Sequence, residues 1–270
     1  MDLSGFYDSY WAAKDDNVDQ RRLDLLVDLV RKDDSVLQVD CGPGMLARRL
    51  QDKGATVTAT DLSLVATERA RHKGIAASQV SLDDSPLPFP DGSFDAVVSD
   101  SAIEHLFFYR EALAECVRVL RPGGRLIVLL PNIAHWRYRL WLLTGRFPYI
   151  KDSPTDMTHI RFFTVRDARL LCERSGLVVS LCDGSASLWV KGLYPSWLRR
   201  RFVRGAYTWA ARKYPSLFAR DFILLCEKPA APSRPPGGIQ ARSFRRRFSP
   251  DAVSAAGSAS HGPSSRYRSG

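Results

Sequence analysis

Val36-Leu37-Gln38-Val39-Asp40-Cys41-Gly42-Pro43-Gly44 reads as a short β run that ends in a tight, glycine-bearing turn and enters a helix. Glycines there let the backbone approach a ligand closely, and the helix start offers free N–H donors. A second β run, Ala55–Thr60, ends beside Asp61, 17 residues after Gly44. A carboxylate at that place can accept hydrogen bonds from both hydroxyls of a ribose. Together these predict a nucleoside-containing cofactor at the carboxyl ends of the first two strands. Gly42-Pro43-Gly44-Met45-Leu46-Ala47 also satisfies G-x-G-x-x-A, so a dinucleotide-dependent (NAD(P)) oxidoreductase competes. Pro43 counts against it, because the turn loses an N–H that a pyrophosphate would use.

The elements that must hold these residues alternate. Strands are expected at Ser35–Val39, Ala55–Thr60, Ile75–Ser81, Phe94–Ser99, Arg125–Leu130, Leu177–Cys182 and Asp221–Glu227. Helices are expected at Gly44–Asp52, Ser63–Lys73, Ile103–Leu120 and Thr164–Ser175, the last opened by a Thr164-x-x-Asp167 capping box. Continuous apolar strands between helical patterns predict an α/β fold with a parallel sheet covered on both faces.

The ordered set VLQVDCGPG, TATD, LDDSPLPFPDGSFDAVVS, EHL and VRVLRPGGRLIVLLP resembles a class I S-adenosylmethionine-dependent methyltransferase of the broad small-molecule (type 11) group. The likeness spans about residues 35–131. It implies a Rossmann-like, doubly wound, mostly parallel seven-stranded sheet with an antiparallel last strand, and S-adenosyl-L-methionine as cofactor. It also implies roles. Asp40, Cys41, Gly42 and Gly44 would line the methionine moiety. Asp61 and Leu62 would hold the ribose, Asp83 and Asp84 the adenine. The loop Ser99–His105 would flank the transferring methyl. Two positions depart from the family pattern. Gln38 stands where an acid is usual, and Asp40 where the first glycine is usual. They keep open a non-catalytic, cofactor-binding regulatory partner as a third reading.

After the fifth expected strand comes Pro131-Asn132-Ile133-Ala134-His135-Trp136-Arg137-Tyr138-Arg139-Leu140-Trp141-Leu142-Leu143-Thr144-Gly145-Arg146. Residues 131–175 resemble methyltransferases found among bacterial surface-glycan and methionine-biosynthesis proteins. Loops at this edge of an open α/β sheet build the acceptor pocket. Asp156, His159 and Arg161 are the candidate catalytic group, because transfer to oxygen needs a base near the hydroxyl. The equal competitor is that His159 and Arg161 brace the loop. His135 reads as structural. No metal site is expected, since the five cysteines are scattered without a CxxC pair. The expected acceptor is a small molecule, with an oxygen of a sugar or lipid-linked glycan preferred.

Phe6-Tyr7-Asp8-Ser9-Tyr10-Trp11, within a lead-in of residues 1–34, is expected to fold over the cofactor site as a lid. The main domain is expected over 35–228, and the Arg-rich, Pro/Ser-rich remainder, 229–270, as a disordered tail. The formal net charge of +10 is unevenly spread. Residues 1–184 carry 26 acidic and 23 basic residues, whereas 185–219 carry seven basic residues and no acidic one. That insert also holds Trp189, Tyr194, Trp197, Phe202, Tyr207, Trp209, Tyr214 and Phe218. Rings interleaved with cations suit an anionic membrane surface or a lipid-linked substrate, or equally a cap or dimer surface. Nucleic acid has the lower claim, because the body is mildly acidic. The start shows neither a basic n-region nor an apolar h-region, so no secretory leader and a cytoplasmic setting are expected.

Overall fold

A computed structural model describes residues 2–16, 18–84, 86–188, 190 and 192–230. Trp189, Lys191 and the tail expected to be disordered, from Ala231 onward, lie outside the described residues. Two helices, α1 (Leu3–Ala13) and α2 (Gln20–Leu29), lead into β1 (Ser35–Val39), α3 (Met45–Asp52), β2 (Thr56–Asp61), α4 (Leu64–His72) and β3 (Ala76–Gln79). Then come β4 (Phe94–Asp100), a 3-10 turn (Ile103–His105), α5 (Tyr109–Val119), β5 (Leu120–Pro131), α6 (Trp136–Leu143) and α7 (Val165–Arg174). The chain closes with β6 (Val178–Ser185), a 3-10 turn (Ser196–Arg199), α8 (Arg201–Lys213), α9 (Pro215–Phe218) and β7 (Asp221–Glu227).

The seven strands form one sheet in the order β3-β2-β1-β4-β5-β7-β6. Strands β1 to β5 pair in parallel, and β7 runs antiparallel between β5 and β6. The order reverses at β1 and β4, where the carboxyl ends of parallel strands open a crevice for ligands. Period-two side-chain alternation splits the core. Leu37 and Val39 of β1 join a cluster with Val97, Leu126 and Leu224, whereas Val36 packs with Val57, Ala96 and Ile127.

Local chemistry explains the boundaries. Ser63 caps α4 by accepting from Ala66 N at 3.1 Å. Thr164 caps α7 by accepting from Asp167 N at 3.1 Å, and its hydroxyl donates back to the Asp167 carboxylate. The continuous helix expected over Ile103–Leu120 is instead interrupted at 106–108. The Asp83 carboxylate accepts there from Phe107 N (2.9 Å) and Phe108 N (2.7 Å), so the helix restarts at Tyr109. The strand expected over Ile75–Ser81 shrinks to the four-residue edge strand β3.

The basic insert builds its own small core. Tyr138, Leu193, Tyr194, Leu198, Tyr207 and Ala211 pack together. The Tyr207 hydroxyl meets His135 Nε2 at 2.9 Å and accepts from Trp136 Nε1 at 2.8 Å, tying α8 to α6. A side chain at Gly184 would run into the Ala211 backbone, so the helix lies tight on β6. The opposite face of α8 carries Phe202 (90% exposed) and Trp209 (60% exposed), the latter edge-on to Tyr214. Among the described residues, no helix is long and apolar enough to cross a membrane.

Candidate active site

The turn after β1 is a run of left-handed backbone, with φ of 47° at Asp40, 53° at Gly42 and 79° at Gly44. Asp is among the few side-chain-bearing residues that tolerate this region, which is how Asp40 stands where glycine is the usual choice. A Cβ at Gly44 would press on Ala70 Cβ at 2.9 Å, so only glycine lets α3 and α4 close together there. Asp61, at the end of β2, is buried and spans the turn. One carboxylate oxygen accepts from Gly42 N and the other from Ser63 N, each at 2.8 Å. Each oxygen keeps a second lone pair for a ligand hydroxyl. Burial outweighs these two bonds and pushes the Asp61 carboxyl up to about 6. Asp40 is pushed up too, first by burial and then by Asp61 and Asp83.

Helix α1 lies over this turn. Its Asp8 accepts from the Ser63 hydroxyl at 2.5 Å and from Val65 N at 3.2 Å, reaching the start of α4. Arg69 of α4 holds the carbonyls of Trp11 and Lys14. The Trp11 indole consequently sits against Gly42, and a Cβ there would meet it at 2.8 Å.

Beneath α1 is a cavity of about 580 Å³, within the ~300–1,000 Å³ usual for small-molecule and cofactor sites. Asp40, Cys41, Asp61, Leu62 and Asp83 line it, as do Tyr7, Tyr10 and Trp11 of α1. Other expected site residues stand elsewhere. Asp84 is exposed and outside the lining, and Ser99 is buried within β4. Arg161 also lies off the cavity, because its guanidinium donates to Phe107 O at 3.0 Å and stacks over the Tyr109 ring. It braces the loop. Asp156 lines the cavity but serves the loop as well, accepting from Thr158 N (3.0 Å) and Asp152 N (2.7 Å).

The far wall is dense in charge that the composition did not flag. Arg22, Asp100, Arg220 and Asp221 line it, with Arg22 donating to Asp100 at 3.2 Å. Nearby, the 3-10 turn supplies Glu104 and His105, and the loop 154–161 supplies His159. Ile160 N and Arg161 N both donate to the Glu104 carbonyl at 3.0 Å, locking loop to turn. His105 Nδ1 lies 3.0 Å from Thr158 O, and His159 Nδ1 3.1 Å from Pro154 O. Both partners are carbonyls, so each Nδ1 carries the hydrogen and each Nε2 keeps its lone pair. Burial drives both imidazoles toward the neutral form, His105 down to about 4. Burial likewise pushes Glu104 up. Tyr7 was expected only within the lid segment, and Asp100 and Glu104 only within the loop Ser99–His105; no individual role was read for them from the sequence.

The fold and this site define a Rossmann-like methyltransferase architecture, and comparison with known proteins agrees. A family described as methyltransferase domain matches residues 37–128. A "Probable S-adenosylmethionine-dependent methyltransferase" of Mycolicibacterium smegmatis is 34% identical over 146 residues, covering 53% of this chain and 52% of that protein. Malonyl-[acyl-carrier protein] O-methyltransferase of Pseudescherichia vulneris is 40% identical over 94 residues, covering 35% and 38%. The chain thus spans about half the length, or less, of these relatives. Among solved structures, a SAM-dependent methyltransferase from Archaeoglobus fulgidus superposes with a TM-score of 0.57 at 15% identity, covering 84% of this chain and all of that one. Residues 37–128 thus match a methyltransferase domain, and that match together with the fold implies S-adenosyl-L-methionine as the cofactor. The residues present fit that group. Asp61 offers lone pairs toward a ligand's hydroxyls and Asp40 lines the cavity beside it, whereas Gly42, covered by Trp11, and Gly44, packed on Ala70, shape the turn from outside the lining.

Proposed function

We propose that this protein transfers a methyl group from S-adenosyl-L-methionine to an oxygen of a hydroxyl-rich acceptor, a sugar or lipid-linked glycan. The observation that carries the cofactor half is Asp61, clamped between Gly42 N and Ser63 N on the floor of one cavity. The cofactor, when bound, supplies an activated methyl on a sulfonium. The chain's own part is placement. Asp61 holds the ribose, Asp40 balances positive charge, and α1 excludes water through Tyr7, Tyr10 and Trp11. Aligning acceptor and donor supplies most of the acceleration when the donor is already activated.

The acceptor half rests on the far wall. Asp100, Asp221, Arg22 and Arg220 are the paired carboxylates and guanidinium groups that hydrogen-bond multiple hydroxyls, and they suit a sugar better than an apolar ring. His105 and His159 add neutral Nε2 atoms on the same side. The exposed Phe202 and Trp209, flanked by Arg201, Arg204 and Lys213, would bring the protein to an anionic bilayer where a lipid-linked acceptor resides.

The test is a panel of free sugars, lipid-linked glycans, phenols and amines incubated with protein and methyl-labelled S-adenosylmethionine. Label on a sugar oxygen supports the reading. Label confined to amines or phenols overturns the acceptor, and binding without transfer to any class favours a regulatory cofactor-binding protein.

A further inference from the structure

We infer that Glu104, His105 and His159 form a site for one divalent transition-metal ion. One ligand atom from each of the three lies within 4.8 Å of the other two. His159 Nε2 is 3.9 Å from a Glu104 carboxylate oxygen, and the two imidazole rings are 4.8 Å apart, edge to face. Two donors that share an ion tetrahedrally at ~2.1 Å stand ~3.4 Å apart, so a pair at the 4.8 Å limit must close by roughly 1.4 Å on binding.

Three features separate this cluster from an ordinary buried polar group. Glu104 is fully buried, yet among the described residues neither of its carboxylate oxygens has a hydrogen-bond partner. A buried carboxylate in that state is costly unless something cationic faces it. Each histidine is also oriented by a backbone carbonyl on Nδ1, at Thr158 and Pro154, which leaves Nε2 as the ligand atom. Metal-binding histidines are held in this way. Finally, both imidazoles line the cavity, so an ion there keeps an open side toward it. Two imidazoles and one carboxylate select zinc, cobalt, iron or manganese over magnesium or calcium. Resting on the methyl-transfer reading, the open side would take an acceptor oxygen and fix it beside the donor. Ion binding itself does not depend on that reading.

Co(II) is the probe, because its visible absorption reports ligand type and number. Chelator-treated full-length protein is titrated with Co(II) and then with competing Zn(II), alongside His105→Ala, His159→Ala and Glu104→Gln. The account expects one equivalent of Co(II), displaced by Zn(II). The absorption should be lost in either alanine variant and the affinity at least about tenfold weaker in Glu104→Gln. Should the buried Glu104→Gln fail to fold, as a thermal melt would show, the two histidine variants decide. Binding of S-adenosylmethionine is measured on the same samples and should survive all three changes. Absence of stoichiometric Co(II) binding, or binding that both histidine variants retain, overturns the metal site. Loss of S-adenosylmethionine binding in the wild type overturns the cofactor reading instead, whatever Co(II) does.

Discussion

Asp61→Asn isolates the carboxylate on which cofactor binding rests. The wild-type group accepts from Gly42 N and Ser63 N at 2.8 Å through different oxygens. It would also receive two ribose hydroxyls. Hydrogen bonds to a charged acceptor contribute ~1.5–3 kcal/mol each, so losing one and leaving the other to a neutral amide oxygen weakens binding by roughly 2–4 kcal/mol, or ~30- to 10³-fold. Asparagine keeps the shape but places its NH₂ against one of the two N–H groups, whichever way it turns. That buried mismatch costs ~1–3 kcal/mol of fold stability, partly offset because a carboxylate raised by burial is itself unfavourable when ionised. The loss in affinity should therefore exceed the loss in stability. Calorimetric titration with S-adenosylmethionine beside a thermal melt separates the two. The carboxyl sits at about 6 in the folded chain against 3.8 for the free group. The stability from protonating Asp61 is thus present below the free value and lost as pH rises through about 6. Cofactor affinity runs the other way. It should fall as pH drops through about 6 in the wild type and fall less in Asp61→Asn, where Asp40, also raised by burial, still titrates beside the ligand. An Asn variant that binds within about threefold of the wild type, with the same pH profile, refutes the reasoning.

Gly42→Ala puts a Cβ 2.8 Å from the Trp11 indole in left-handed backbone, so it should cost ~1–3 kcal/mol and shift the Trp11 near-ultraviolet circular dichroism. Asp40→Gly removes a half-buried carboxyl and a strained φ of 47°, and should raise the melting temperature of the ligand-free protein by ~2–8 °C. Tyr207→Phe strips a partner from His135 and Trp136 and should lower stability by about 1–3 kcal/mol in denaturant titration, with S-adenosylmethionine affinity unchanged. Co-sedimentation with vesicles containing anionic lipid should fall at least severalfold in Phe202→Ser/Trp209→Ser and vanish in high salt, while neutral vesicles bind neither form.

The turn after β1 and Asp61, which the structure sets together at one cavity, were legible in sequence because they are local. Strand, glycine turn and helix N-terminus lie within Val36–Asp52, and Asp61 follows at the next strand end. Most of the sheet was legible for the same reason, since β1, β4, β5 and β7 each contain a short apolar run, whereas β3 (Ala76–Gln79) does not. The acceptor half was not. Arg22, Asp100 and Asp221 come from α2, β4 and β7 and meet only through the sheet order. Glu104 looked like any polar residue at a helix start until the fold buried it without a partner. Spacing beside His159 left Arg161 open between the reacting group and a loop brace, and its side chain turns to Phe107 and Tyr109. The insert's aromatics could not be sorted by composition alone. Tyr194 and Tyr207 are buried in a local core, whereas Phe202 and Trp209 face outward.

The central claim is that the cavity beneath α1 holds S-adenosyl-L-methionine. Calorimetric titration of the intact chain with S-adenosylmethionine and, separately, with NAD tests it directly. The account predicts one equivalent of S-adenosylmethionine bound and no heat from NAD. Saturable NAD binding with none for S-adenosylmethionine would contradict it.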